Sequence, residues 1–169
     1  MGSVFGSFLA EVGGEVVLID VAKPVVDAIS SRGLIIRDKA GNEKSFQIDA
    51  TTEPGNVGVV DLLIVFVKCY HTEAAVRSAL PLLGDNSIVL SLQNGWGNAS
   101  RIGNLVGPEK VLVGVSYHSA TALGPGQVFH GGQGPTYLGE LDGSVSERAK
   151  RLRAFWLQAE LKFKLPLKS

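Results

Sequence analysis

A short glycine-opened helix, followed by a strand that ends in an acid, constrains this chain more than any other feature. Met1-Gly2-Ser3-Val4-Phe5-Gly6 opens a segment with apolar residues at Val4, Phe5, Phe8, Leu9 and Val12, a helical spacing. Gly13-Gly14 ends it, as glycines past a helix end usually do. Val16-Val17-Leu18-Ile19 is a continuous apolar run, the pattern of a strand buried on both faces, and Asp20 closes it. A glycine-opened helix, a buried strand and an acid about twenty residues on are the back half of a dinucleotide-binding βαβ unit. The front half, a first strand with a complete Gly-x-Gly-x-x-Gly, does not stand before Gly2.

The remainder continues the alternation. Pro24 suits a first helical turn, and Val25, Val26 and Ile29 repeat helically up to Gly33. Leu34-Ile35-Ile36 and Ser45-Phe46-Gln47-Ile48, joined through Lys39-Ala40-Gly41-Asn42, read as a hairpin. Asp61 to Val67 is the strongest strand pattern, and a helix follows from Thr72 to Leu83 with Pro81 near its end. Ser87–Leu92 and Val111–Val115 are further strands, separated by a helix over Ala99–Val106. Short β segments with glycine-rich turns occupy Tyr117 to Gly139, and a last helix runs from Ser146 to Leu161. The expected fold is α/β: a Rossmann-like, doubly wound, mainly parallel sheet lacking its first strand, with a few antiparallel edge strands near the C-terminal end.

Composition narrows the function classes. Sixteen basic residues balance sixteen acidic ones, which gives no electrostatic case for nucleic acid or an anionic membrane. The longest apolar run, Leu62–Val67, is far too short to span a bilayer. The single cysteine, Cys69, excludes an intramolecular disulfide and a cysteine zinc cluster. His71 and His130 show no companion ligands, so no metal is expected, and the chain reads as cytoplasmic.

The candidate site residues collect at strand ends, where ligands of open α/β sheets bind. Gly2 takes the place of the third fingerprint glycine, packing the helix tightly on its strand and leaving the helix N-terminus open for a pyrophosphate. Asp20 suits a ribose diol and disfavours a 2′-phosphate; it equally suits capping the helix near Pro24. Lys23 argues the other way, as a partner for that phosphate, so NAD and NADP both stay open on the residues alone. Lys68 suits the nicotinamide ribose or an anionic substrate, or is a solvated strand-end lysine. Asn94 suits a ribose or substrate hydroxyl, or is part of an Asn-Gly turn. His118 is a candidate proton donor or, on balance, a structural or supporting histidine.

With these residues assembled, the chain resembles the N-terminal domain of the ketopantoate reductases (2-dehydropantoate 2-reductases). The resemblance is carried by Met1–Gly6, Val17–Asp20, Asp61–Lys68, Leu92-Gln93-Asn94-Gly95 and Val113–His118, with Gly126-Gln127-Val128 and Gly139-Glu140 later. It implies an NADPH-binding Rossmann domain, with NADH as the alternative, and hydride transfer to the keto carbon of ketopantoate in pantothenate and coenzyme A synthesis. It also implies cofactor-binding roles for Gly2, Ser3, Asp20, Lys23, Lys68, Asn94 and Ala120, with Asn94 positioning the reactants. The family's main catalytic lysine lies in a helical second domain.

The expectation is therefore a partial Rossmann domain over residues 1–161, an atypical tail over 162–169, and no helical domain. Such a chain is expected to be inactive by itself. Its partner would be a small 2-keto acid, with no nucleic acid or membrane, and the full-length form would be a possible homodimer. The alternatives are a related 2-keto-acid reductase, a nucleotide-binding module without catalysis, or a gene remnant.

Overall fold

Neighbouring residues of the central strands face opposite ways, and this decides the layering. Leu90 and Leu112 pack in one core with Phe5, Leu9, Leu152 and Trp156. Val89 and Val111 pack in another with Val76 and Ile102. A period of two in apolar strands thus builds a core on each face of the sheet, with helices covering both. The computed structural model describes residues 1–158 and the backbone of 163–164.

The chain starts with α1 (Gly2–Glu11) and β1 (Val17–Ile19), then α2 (Lys23–Arg32), β2 (Leu34–Arg37), β3 (Glu43–Phe46) and β4 (Asp49–Thr51). It continues through β5 (Val60–Val65), α3 (Thr72–Ala79), β6 (Leu83–Ser91), α4 (Asn98–Val106) and β7 (Val111–Ser116). The last elements are β8 (Ser119–Gly124), β9 (Gln127–Gly132), β10 (Thr136–Glu140), α5 (Glu147–Gln158) and β11 (Phe163–Lys164). The strands form a five-stranded sheet β11-β10-β7-β6-β5, a four-stranded sheet β3-β2-β9-β8 and a two-stranded pair β1-β4. β5, β6 and β7 are parallel. β10 is antiparallel to β7, and β8 to β9, as the glycine-rich stretch leads one to expect.

The α/β reading holds, with informative differences. β4 carries no strong strand pattern, yet it pairs in parallel with β1, because the β1 edge offers a ladder whatever the side chains. The run at β1 is only half-buried, and Ile19 is 38% exposed, since β4 is its one strand partner among the described residues. The strongest strand pattern becomes β5, the edge of its sheet. Pro81 ends α3 early, and Leu80–Leu82 tighten into a 3₁₀ turn. Residues 159–161 of the expected last helix, and the tail apart from the β11 backbone, lie outside the described residues.

Helix α1 bridges the parted sheets. A Cβ on Gly6 would lie 2.9 Å from Leu18 of β1, and one on Gly2 would lie 3.7 Å from Phe66 just past β5. The free edges of β1 and β5 find no strand partner among the described residues. Open, apolar strand edges template pairing between chains. The chain is expected to associate as its concentration rises, by sedimentation velocity. A concentration-independent monomer with a sharp, reversible melt would contradict this.

Candidate active site

The geometry gathers one end of the structure around the N-terminus of α1. Gly2 lies beside Phe66, two residues before Lys68. Burial, and then the Lys68 charge, lower the pKa of the Met1 amino group, which places Lys68 near the start of the helix. Because α1 runs opposite to β1, with Gly6 against Val16 and Leu18, the Asp20 end of β1 lies at this same end. No side chain caps α1. The first-turn N–H groups of Gly2 and Ser3 have no intrahelical acceptor, as in any helix, and present a partial positive charge.

The role expected of Gly2 in close packing belongs to Gly6. At Gly2 an added Cβ would make ordinary contact, whereas at Gly6 it would press on Leu18.

Asp20 is partly exposed, and its Oδ1 accepts the Ala22 N–H at 2.8 Å. Ala22 is the residue that precedes α2, so the carboxylate supports the helix start while its other oxygen takes no bond among the described residues. Lys23 opens α2 and donates to both Asp27 oxygens, at 2.7 and 2.8 Å. Lys68 is exposed at the start of a 3₁₀ turn over Cys69–His71, and its ammonium makes no hydrogen bond or ion pair among the described residues. Asn94 is exposed in the loop before α4. Ala120 lies in β8 opposite His130.

A polar network that sequence reasoning missed ties the Lys68 and Asn94 loops together. Gln93 Nε2 donates to the Val67 carbonyl at 2.6 Å and to the Thr72 hydroxyl at 2.8 Å. Ser91 donates to Gln93 Oε1 at 3.1 Å. Thr72 donates to Asn98 Oδ1 at 3.5 Å, and Asn98 Nδ2 donates to the Asn94 carbonyl at 3.0 Å. Thr72, Ser91 and Asn98 are all buried. The available signal was polar residues at the first positions of α3 and α4, which ordinarily cap their own helices. Here they face each other instead.

His118 is supported by aromatic rings. Its Nδ1 lies 3.0 Å from His130 Nε2, the rings stack at 12°, and Phe5 and Phe8 meet His118 edge-on. The sequence left His130 without a companion; tertiary structure supplies one, because β9 folds back beside the end of β7. Burial, and then the neighbouring His130, push the His118 pKa down to about 4. Burial likewise lowers that of His130. At neutral pH one neutral ring donates to the other, which favours the supporting role for His118 over that of a charged proton donor. The unfolded chain, with ordinary histidines near 6.5, binds protons more readily than the fold. Stability is therefore expected to be full above about pH 6.5 and to fall as pH drops towards 4, by urea midpoints. A His118→Phe variant should flatten that dependence between pH 6.5 and 5; an unchanged slope would reject the pair as its source.

Among the described residues, no three His, Cys, Asp or Glu side chains converge on a metal position. No helix there is long and apolar enough to cross a membrane.

Comparison with known proteins places this arrangement. Residues 1–143 match the family described as ketopantoate reductase PanE/ApbA. The 2-dehydropantoate 2-reductase of Halobacterium salinarum is 35% identical over 156 residues, covering 91% of this chain and 50% of the relative. That of Pyrococcus horikoshii is 37% identical over 139 residues, covering 82% of this chain and 44% of the relative. The chain thus spans about half the length of these curated relatives. The crystal structure of 2-dehydropantoate 2-reductase from Geobacter metallireducens superposes with a TM-score of 0.87 at 26% identity, over 95% of this chain and 53% of that one. A D-mandelate dehydrogenase with NADH and anilino(oxo)acetate superposes with a TM-score of 0.89 at 30% identity, over 97% of this chain and 53% of that one.

Proposed function

Because the chain belongs to the ketopantoate reductase family, we propose that it forms the cofactor-binding part of an oxidoreductase that reduces ketopantoate to pantoate, the reaction that feeds pantothenate and coenzyme A synthesis. The observation that supports this best is the convergence of an uncapped helix start at Gly2, the Asp20 carboxylate and the exposed Lys68 ammonium at one end of the fold.

These residues fit a nicotinamide dinucleotide, which when bound supplies the hydride. The N–H groups of Gly2 and Ser3 receive its pyrophosphate, where helix dipole and open donors favour an anion. Asp20 accepts from the adenosine ribose. Lys68 donates hydrogen bonds to the nicotinamide ribose hydroxyls or holds the substrate carboxylate by charge. Asn94, whose amide both donates and accepts, orients the substrate or ribose hydroxyl. The Gln93 network keeps Lys68 and Asn94 at a fixed separation, so less freedom is lost on binding. Ala120 lines the far side beside the histidine pair.

A related 2-keto-acid reductase is the second reading, favoured by the superposition on a D-mandelate dehydrogenase holding NADH and anilino(oxo)acetate. Titration of the chain with reduced dinucleotide tests the site, and the rate of dinucleotide oxidation with ketopantoate and with phenylglyoxylate, in a full-length form that carries the family's helical domain, separates the two. In that full-length form Asn94→Ala is expected to lower kcat/KM by about a hundredfold. Near-normal turnover would remove Asn94 from the site.

A further inference from the structure

A β-bulge and the histidine pair meet beside Ala120. In the β8–β9 ladder Ala120 faces His130 and Ser119 faces Gly132, so Gly131 is one residue too many in β9. The bulge sits hard on its neighbours. A Cβ on Gly131 would lie 2.9 Å from the Phe129 ring, and one on Gly132 would lie 2.7 Å from Ser119 Oγ. Bulges re-aim the side chains around them, and here His130 comes within 3.0 Å of His118, two residues before Ala120. The two rings are parallel to within 12°, with their centroids 5.2 Å apart and His118 Nδ1 3.0 Å from His130 Nε2. The difference is taken up by the two centroid-to-nitrogen radii, so both nitrogens lie close to the line between the centroids. The rings are thus offset until edge meets edge, the geometry of a straight N–H···N hydrogen bond. Phe5 and Phe8 of α1 meet His118 edge-on, and Phe8 also meets His130. The pair therefore joins the helix whose start is open for a pyrophosphate to the strand that carries Ala120.

We infer that His118 and His130 are positioning residues for the dinucleotide, their shared hydrogen bond fixing the bulged hairpin so that Ala120 stands at a set distance from the start of α1. This rests on the dinucleotide-binding reading above and adds two residues that act through Ala120 without touching the ligand. A neutral pair needs one ring to donate and the other to accept, and two histidines meet that need by their choice of tautomer. Phenylalanine fills similar space beside Phe5 and Phe8 but cannot make the bond. Packing and hydrogen bonding are thus separable at these positions.

The test is binding of NADH and NADPH to the full chain, read by fluorescence of the reduced nicotinamide. His118→Phe and His130→Phe, folded by circular dichroism, should bind about tenfold more weakly than the parent. His118→Asn places an amide nitrogen where Nδ1 stood, and His130→Gln places one where Nε2 stood. Each should remake the bond and hold affinity within about twofold of the parent. Nitrogen NMR of the histidine-labelled chain should show coupling between His118 Nδ1 and His130 Nε2, with the exposed His71 uncoupled. Parent-like affinity in the folded phenylalanine variants, equal losses in the phenylalanine and amide variants, or histidines without coupling would overturn the inference and leave the dinucleotide site standing. If a phenylalanine variant does not fold, the amide variant at that position decides: parent-like affinity supports the bond, and a loss of about tenfold removes it. A folded parent chain that binds neither dinucleotide would overturn the site itself and the inference with it.

Discussion

Gly114→Ala is expected to destabilise the fold by about 3 kcal/mol, at the upper end for overpacking a filled core. Gly114 lies in β7 opposite Leu138 of β10. A Cβ there would run into the Tyr137 carbonyl oxygen and stand 2.7 Å from Leu92 Cδ2. Leu92 can swing aside, but the carbonyl belongs to the β7–β10 ladder and moves only if that ladder moves. β10 in turn holds Glu140, whose carboxylate bonds Arg148 of α5, so displacement of β10 loosens the helix that buries Trp156. Domains of this size are stable by about 5–15 kcal/mol, so the loss is a large share of the whole. Urea denaturation checks it, and a midpoint within error of the parent would mean that β10 can yield. Gly6→Ala is a contrasting control. There the obstacle is the far end of the Leu18 side chain, and alanine gains about 1 kcal/mol in helix propensity, so a much smaller change is expected.

Gln93→Ala is expected to separate the two loops of the candidate site. It strips a donor from the Val67 carbonyl and from the Thr72 hydroxyl, and an acceptor from Ser91. Leaving buried groups such as Thr72 and Ser91 short of partners costs about 1–3 kcal/mol. The cost falls on the segments that carry Lys68 and Asn94, so hydrogen exchange should quicken at 67–72 and 94–98 while β7 and β10 stay protected. Dinucleotide affinity should fall about tenfold as Lys68 loses its fixed position. Gln93→Glu keeps the volume and the acceptor for Ser91 but points an anion at the Val67 carbonyl, and it should behave like the alanine variant. Unchanged exchange in both segments would show that Gln93 is a bystander.

Much of the architecture was legible because it is written locally. Glycines at 13–14 and 33 stop helices. The hairpin of β2 and β3 follows from its turn residues. The buried strands β6 and β7 read as apolar runs because both of their faces are covered. The open edges of β1 and β5 follow from the absent first strand, but the pairing of β4 with β1 was not legible. Ladder partners depend on which edges come together in space, and a three-residue strand such as β4 has too few side chains to announce itself. The candidate site divides in the same way. Asp20, Lys68 and Asn94 were visible because strand ends are predictable positions for ligand groups. Gln93, Thr72 and Asn98 looked like ordinary loop and helix-start residues, and they form a unit only through contacts between segments more than twenty residues apart in sequence.

The histidines and the acids at β1 complete the division. From the sequence, His118 and His130 are two separate residues, and Lys23 is a free cation. Stacking of the histidine rings at 12°, and the two hydrogen bonds from Lys23 to Asp27, arise from side-chain positions that periodicity does not encode. The sequence by itself determined the α/β class, the family and the strand ends at which ligand groups stand, since patterns of two and 3.6 residues are local properties of the backbone. Only the tertiary structure decided which polar groups share a network, which charge is compensated and which glycine bears the closest packing. Those are set by distances between segments remote in the chain, and they came to light only once the sheets and helices had packed.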